Sequence, residues 1–325
     1  MTLIAAGNDA GRRLDRILRK ALPGIPLSAL YRLFRKKAIL VDGKPAFGAD
    51  TVKAGSVIRI PGEFPNPPRG GREIPAGPDP ERPYPETSSK KSSPPEILFE
   101  GSGLLVLNKP AGLAVHGPDR DNLNRWVQSY LEGRIPASLS FRPGPLHRLD
   151  KPTSGIVVFS TCLEGAKIFC KLLEEGKLVK TYLAVLEGNL EKEEVWNDSL
   201  FRDKKLRKSL AGPEPLSKKA VTRVRPAALS KGLTLALVAP ETGRTHQIRS
   251  QAALHHFPLW GDRKYGGTGK GGFFLHALSL QFPPEEMPSL PRRITAPLPE
   301  AFSAFLRENF DGPATRPEKL QTLRL

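Results

Sequence analysis

Apolar positions recur at a helical spacing near the start of the chain, first at Leu14, Ile17, Leu18, Ala21 and Leu22 and then at Leu27, Leu30, Tyr31 and Phe34, with Ser28 as a candidate N-cap. The apolar run Ala38–Val41 then meets Asp42-Gly43, a strong hairpin signal, and Val57–Ile60 reads as a further strand. Residues 1–61 are therefore predicted to form a compact helix-helix-hairpin domain. Periodicity stops where eleven of the chain's 33 prolines crowd between Pro61 and Pro95. Such a tract is semi-rigid and partly extended, so residues 62–95 are predicted to be a linker that sets the reach between two domains. From Ile97 the apolar runs are short and rich in β-branched and aromatic residues. They predict strands at 104–107, 156–160, 180–187, 220–225, 233–238 and 273–280, and helices around 121–132, 164–175 and 244–255. Several strands follow one another with no helix between them. That argues for an α+β domain over 96–310 with a mixed, largely antiparallel sheet and flanking helices, followed by a tail at 311–325. No internal repeat is present.

Charge changes this picture. The net charge is +17 over 325 residues, with an isoelectric point near 10.0, which points to a polyanionic partner. The excess is also clustered: residues 1–61 hold twelve Lys and Arg against four Asp and Glu. Arg12, Arg13, Arg16, Arg32, Arg35, Lys36 and Lys37 fall off the apolar helix faces and are candidates for phosphate contacts, which give affinity without reading sequence. Two cysteines, Cys162 and Cys170, lie eight apart with no metal-ligand spacing and are expected to be buried thiols on a helix. The six histidines show no HExxH or similar pattern, so no metal is expected. No apolar run reaches membrane-spanning length and no basic-then-apolar leader is evident, so a cytoplasmic protein without a membrane partner is expected.

The most informative stretch for chemistry is His147-Arg148-Leu149-Asp150-Lys151-Pro152-Thr153-Ser154-Gly155, which runs into Ile156–Phe159, a fully buried strand by its composition, with Gly155 punctuating its start. Asp150 thus sits on a loop fixed by a rigid element. Flanked by Arg148 and Lys151 it is expected to stay ionised, which suits a nucleophile better than a general acid. Taken by itself, the loop favours the reading of a capping or turn-closing Asp over that of a nucleophile.

The order of blocks decides between these readings. Lys109-Pro110-Ala111-Gly112, the HRLD stretch, Lys180-Thr181-Tyr182-Leu183-Ala184, Thr242-Gly243-Arg244-Thr245-His246-Gln247-Ile248-Arg249 and Gly261-Asp262-Arg263-Lys264-Tyr265-Gly266-Gly267 follow one another across about residues 97–282. In this the chain resembles the RluA-type pseudouridine synthases. The first 61 residues, through Arg13-Leu14-Asp15 and Val41-Asp42-Gly43-Lys44, resemble the small RNA-binding domain shared by a ribosomal small-subunit protein and tyrosyl-tRNA synthetase. The resemblance implies an RNA-uridine isomerase that uses no cofactor. Asp150 is then the catalytic carboxylate, Arg249 its ionic partner, and Tyr182 the ring against the target base and a candidate for proton transfer. Arg148 enters the space left by the flipped nucleotide, Leu275 walls the uracil pocket, and Arg244 and His246 face RNA or the loop backbone. The chain departs from the family pattern at Pro152 and at Ser250-Gln251, the second of which is expected to affect helix packing or an RNA contact.

Three other readings are weaker. A catalytically silent RNA-binding assembly factor is disfavoured by the presence of Asp150, Tyr182 and Arg249 together. A kinase lacks the Asp-Phe-Gly and the Gly-rich loop, and a metal-dependent hydrolase lacks ligands. The expected substrate is structured RNA, ribosomal from the large subunit ahead of transfer RNA, and the expected state is a monomer.

Overall fold

A computed structural model of the chain describes residues 1–62, 94–118, 121–213, 215–287 and 289–310. The proline-rich linker, except for residues 62, 94 and 95, and the tail at 311–325 lie outside the described residues. The chain forms two compact units. One gathers the described residues of Met1–Pro85 with Trp126–Gly144 and Ser160–Ala166, and the other those of Glu86–Arg125, Pro145–Phe159 and Lys167–Leu325.

The N-terminal elements are β1 (Thr2–Ile4), α1 (Leu14–Ala21), α2 (Leu27–Arg35), β2 (Leu40–Val41), β3 (Lys44–Pro45) and β4 (Val57–Arg59), with the strands in the order β1-β4-β2-β3. Asp42 and Gly43 both take positive φ, as a two-residue hairpin turn requires. Leu14, Ile17, Leu18, Leu30, Phe34, Ile39 and Ile58 close the core. The N-cap of α2 is Pro26, and Ser28 lies inside the helix's first turn. Leu27 and Tyr31 are exposed, so the buried face of α2 is narrower than its pattern suggests. The Tyr31 hydroxyl instead donates to Asp15. The fully buried Asp9 accepts hydrogen bonds from both the amide and the hydroxyl of Ser140, from the Ser138 hydroxyl and from the amides of Leu139 and Ala6. Burial works against its charge, but these donors lower its pKa overall.

Along the rest of the chain come β5 (Glu96–Gly101), β6 (Leu104–Lys109), α3 (Leu123–Leu131), β7 (Gly144–Pro145), β8 (Ser154–Ser160), α4 (Leu163–Glu174), β9 (Val179–Glu187), β10 (Glu194–Asp203), β11 (Lys208–Ala211), β12 (Lys218–Ser230), β13 (Leu233–Pro240), α5 (Gln247–Leu254), β14 (Leu275–Gln281), β15 (Arg293–Thr295) and α6 (Glu300–Asn309). Their sheet runs β11-β10-β12-β13-β9-β14-β8-β6-β5, with β15 beside β14 and β7 beside β8. β14 lies parallel to β8 and antiparallel to β9, which in turn pairs antiparallel with β13. The fold is thus α+β with a mixed, largely antiparallel sheet. Every residue of β8 is buried.

Gly155 lies inside β8 and does not mark its start. At φ 105° it faces β14 so closely that a Cβ would sit 2.3 Å from the Ala277 carbonyl oxygen. β10 escapes the sequence pattern because only Trp196 and Leu200 turn inward among polar neighbours. The helix expected from 244 begins at Gln247, since His246 takes a left-handed conformation that α-helical propagation excludes. Cys162 precedes α4, where its Sγ accepts the Gly165 amide, and both cysteines are half-buried instead of buried. Among the described residues no helix is long and apolar enough to cross a membrane.

Candidate active site

The loop carrying Asp150 is pinned from several sides. Lys109, at the end of β6, is fully buried and donates to the carbonyls of Pro110 (2.9 Å), Leu113 (2.7 Å) and Lys151 (3.2 Å). Burial pushes its pKa down to about 7, against the pull of the Asp150 charge. The Gly112 amide also reaches the Lys151 carbonyl, and the Thr153 amide closes onto that of Asp150. On the other side His147 Nε2 accepts the Val158 amide of β8 at 3.1 Å while its ring stacks on Phe169. The Lys-Pro-Ala-Gly and His-Arg-Leu-Asp blocks therefore meet in space to hold one carboxylate.

α5 supplies that carboxylate's partner. Six consecutive residues of the helix, Gln247–Ala252, are buried, so its polar side chains must find partners inside the protein. Gln247 bridges Thr242, Thr222 and the amide of Arg244. Gln251 directs its amide nitrogen at Asp198 and the carbonyls of Trp196 and Ala220, and its oxygen accepts the Thr222 hydroxyl. Ser250 donates to the Ser209 carbonyl. The departure at Ser250-Gln251 is thus a matter of helix anchoring.

Arg249 spans two carboxylates. Its Nε and Nη2 bind Asp262 at 2.6 and 2.8 Å, and Nη1 binds Asp150 Oδ2 at 2.9 Å. The guanidinium lies 4.6 Å from the Phe273 ring centre and 5.1 Å from that of Tyr265. Burial disfavours its charge, but Asp262 and then Asp150 outweigh burial and raise its pKa. Asp150 keeps 19% of its side-chain exposure, against 2% for Asp262. Among the described residues no hydrogen-bond donor reaches Asp150 Oδ1.

Asp150, Tyr182, Arg249, Arg148, Arg244, His246 and Leu275 all line one cleft of 540 Å³. Tyr182 stands on β9 between Val238 and Ala277. Burial, and then the Asp150 charge, push its phenol pKa up, so it stays protonated. Leu275 opens β14 and packs in the same apolar cluster as Tyr182. Arg148 is exposed at the cleft. Arg244 is exposed too, and its Nε donates to the Lys219 carbonyl at 2.9 Å. His246 is 12% exposed, with Nε2 3.6 Å from Asp150 Oδ2 and Nδ1 2.8 Å from the Tyr265 hydroxyl.

Outside the cleft, Arg12 donates to Ser140 and Arg13 forms a fork with Asp15, whereas Arg16, Arg32, Arg35, Lys36 and Lys37 are exposed. No group of three or more His, Cys, Asp or Glu gathers at metal-binding distance among the described residues. Asp262, Tyr265 and Lys109 carry no role in the sequence reading, although each falls in one of the five ordered blocks. Their block membership was the available signal, and the partner of each is legible only in space.

A family model for RNA pseudouridylate synthase matches residues 103–254. The chain is 32% identical over 292 residues to ribosomal large subunit pseudouridine synthase C of Vibrio cholerae serotype O1, covering 84% of this chain and 85% of that protein. It is 30% identical over 320 residues to the enzyme of the same name in Escherichia coli K12, covering 93% and 94%. Among solved structures, human RNA pseudouridylate synthase domain containing 4 superimposes with a TM-score of 0.56 at 23% identity, over 67% of this chain and 94% of that one.

Proposed function

Because the chain belongs to the RluA-type RNA pseudouridylate synthases, we propose that this isomerase acts on large-subunit ribosomal RNA, with Asp150 as its nucleophile and a uridine extruded into the cleft. The reaction breaks the N1–C1′ bond of uridine and joins C5 to C1′. The proton on C5 leaves and N1 gains one, so no redox partner or second substrate is needed.

The observation that carries the assignment of Asp150 is the asymmetry of its carboxylate. Oδ2 is bound by Arg249 while Oδ1 meets no donor among the described residues. A carboxylate oriented through one oxygen retains the other for attack. Tyr182, a protonated ring beside it, offers the flat surface that a base taken out of its stack requires, and Leu275 bounds the pocket. Arg148, exposed at the cleft, takes the space the nucleotide vacates, which offsets part of an unstacking cost of a few kcal/mol. Arg244 and the exposed cations of the first helices, Arg16, Arg32, Arg35, Lys36 and Lys37, hold backbone phosphates. The ribosomal assignment rests on the name shared by the relatives from Vibrio cholerae and Escherichia coli.

The test is release of tritium from RNA labelled at uridine C5. The native protein is expected to release label from large-subunit ribosomal RNA and not from transfer RNA, and Asp150→Asn to release none. Release by Asp150→Asn would remove the carboxylate from its role. Tight RNA binding by the native protein with no release from either RNA would favour the silent assembly factor.

A further inference from the structure

His246 adopts φ 55° and ψ 22° just before α5, a conformation that residues bearing a Cβ take only against steric resistance. The turn sets its imidazole between two groups of partners. Nδ1 lies 2.8 Å from the Tyr265 hydroxyl and 3.4 Å from Arg202 Nη1, and Nε2 lies 3.6 Å from Asp150 Oδ2. The roles of these atoms follow from donor chemistry. An arginine N–H only donates, so the nitrogen it faces must accept. The Tyr265 oxygen already accepts the Ser209 amide at 2.8 Å, which leaves its own proton for His246. Arg202 therefore requires a bare Nδ1, Tyr265 is placed to donate to it, and a neutral imidazole with Nδ1 bare carries its proton on Nε2. The ring stays neutral at physiological pH: withdrawal from water pushes its pKa down to about 4, and Arg249, Arg202 and Lys264 reinforce this against the opposing charge of Asp150.

We propose that His246 is a positioning residue whose Nε2–H, fixed in that tautomer by Tyr265 and Arg202, donates to Asp150 Oδ2 when RNA is bound. The 3.6 Å separation shortens to hydrogen-bond length, and Arg249 and His246 then hold Oδ2 together, which commits Oδ1 to the reaction. The proposal rests on Asp150 being the nucleophile. It distinguishes His246 from Arg244, two residues earlier, which is exposed and bound to a backbone carbonyl.

The first test needs no substrate. In protein labelled with nitrogen-15 at histidine, with His246→Gln used to assign the signals, His246 is expected at neutral pH to show a protonated Nε2 and a bare Nδ1. Tyr265→Phe is expected to shift the ring toward a mixture of tautomers. A proton on Nδ1, or an imidazolium at neutral pH, overturns the proposal whatever the activity. The second test is single-turnover tritium release. A hydrogen bond to a charged group supports a loss of about ten- to hundredfold in rate for His246→Leu with RNA affinity little changed, and substantial recovery in His246→Gln, whose amide restores a donor near the position of Nε2. Equal loss in both variants overturns it. Asp150→Asn run in parallel tests the premise separately, since label released by that variant would dismiss Asp150 as nucleophile and leave the tautomer measurement intact.

Discussion

Arg249 makes three hydrogen bonds to two carboxylates, and their burial separates structure from chemistry. The two to Asp262 form a fork that is almost fully enclosed, whereas the one to Asp150 reaches a side chain still open to the cleft. The fork orients the guanidinium, and the remaining N–H then orients the Asp150 carboxylate. Asp262→Asn replaces one acceptor oxygen with an amide that points its own protons at the cation. Breaking a buried pair in this way costs about 3–5 kcal/mol, so the urea midpoint is expected to fall and tritium release with it. An unchanged midpoint would mean that Asp262 does not carry the burial of Arg249. The same geometry accounts for the presence of Arg at this position, because a lysine ammonium has no planar fork to share between two carboxylates.

At the scale of elements, the site depends on how closely β8 and β14 approach. Asp150 precedes β8 and Leu275 opens β14, so the parallel pairing of Ser154 and Gly155 with His276 and Ala277 brings the carboxylate loop and the pocket wall to the same end of the sheet. His276, fully buried, adds a second tie through Nδ1 to the Ser154 hydroxyl at 2.9 Å. In Gly155→Ala the new methyl meets the backbone of Ala277, which cannot rotate away as a side chain would, and it also keeps a positive φ. Overpacking and backbone strain together are expected to cost roughly 3 kcal/mol or more. Gly176→Ala is the control, since it has φ 68° but open space around it, and about 1 kcal/mol is expected there. Equal urea midpoints for the two variants would show that backbone conformation, and not strand approach, sets the requirement.

For the whole molecule the dominant property is charge. A net +17 concentrated toward the N-terminus makes RNA affinity depend on released counterions, with about 0.7–0.9 in the log–log salt slope for each phosphate neutralised. The structure selects which cations to count. Arg12 and Arg13 are engaged by Ser140 and Asp15, while Arg32, Arg35, Lys36 and Lys37 stand exposed at the end of α2 and just beyond. Replacing these four with alanine is expected to lower the slope by about 2.8–3.6 if each meets one phosphate. The urea midpoint should barely move, because none of the four is buried. A slope equal to that of the native protein would remove this surface from RNA binding.

The family, the α+β class and the main strands and helices were legible in the order of residues, because apolar periodicity and the spacing of motif blocks are properties of a linear string. That Asp150, Tyr182 and Arg249 would share one cleft was legible for the same reason. In the linear string Gly155 reads only as punctuation, since a backbone approaching from Ala277, more than a hundred residues later, leaves no local trace. Strand β10 and helix α6 were missed because their inward positions are too few, or too diluted by polar neighbours, to stand out before a sheet exists to bury them. Only the tertiary structure decided that Asp262 and not a nearer carboxylate clamps Arg249, that Lys109 ends in three carbonyls beneath the Asp150 loop, and that His246 turns its Nε2 to the carboxylate. Hydrogen bonds and ion pairs act over a few ångströms in space, so groups far apart along the chain become partners only when the sheet brings them together.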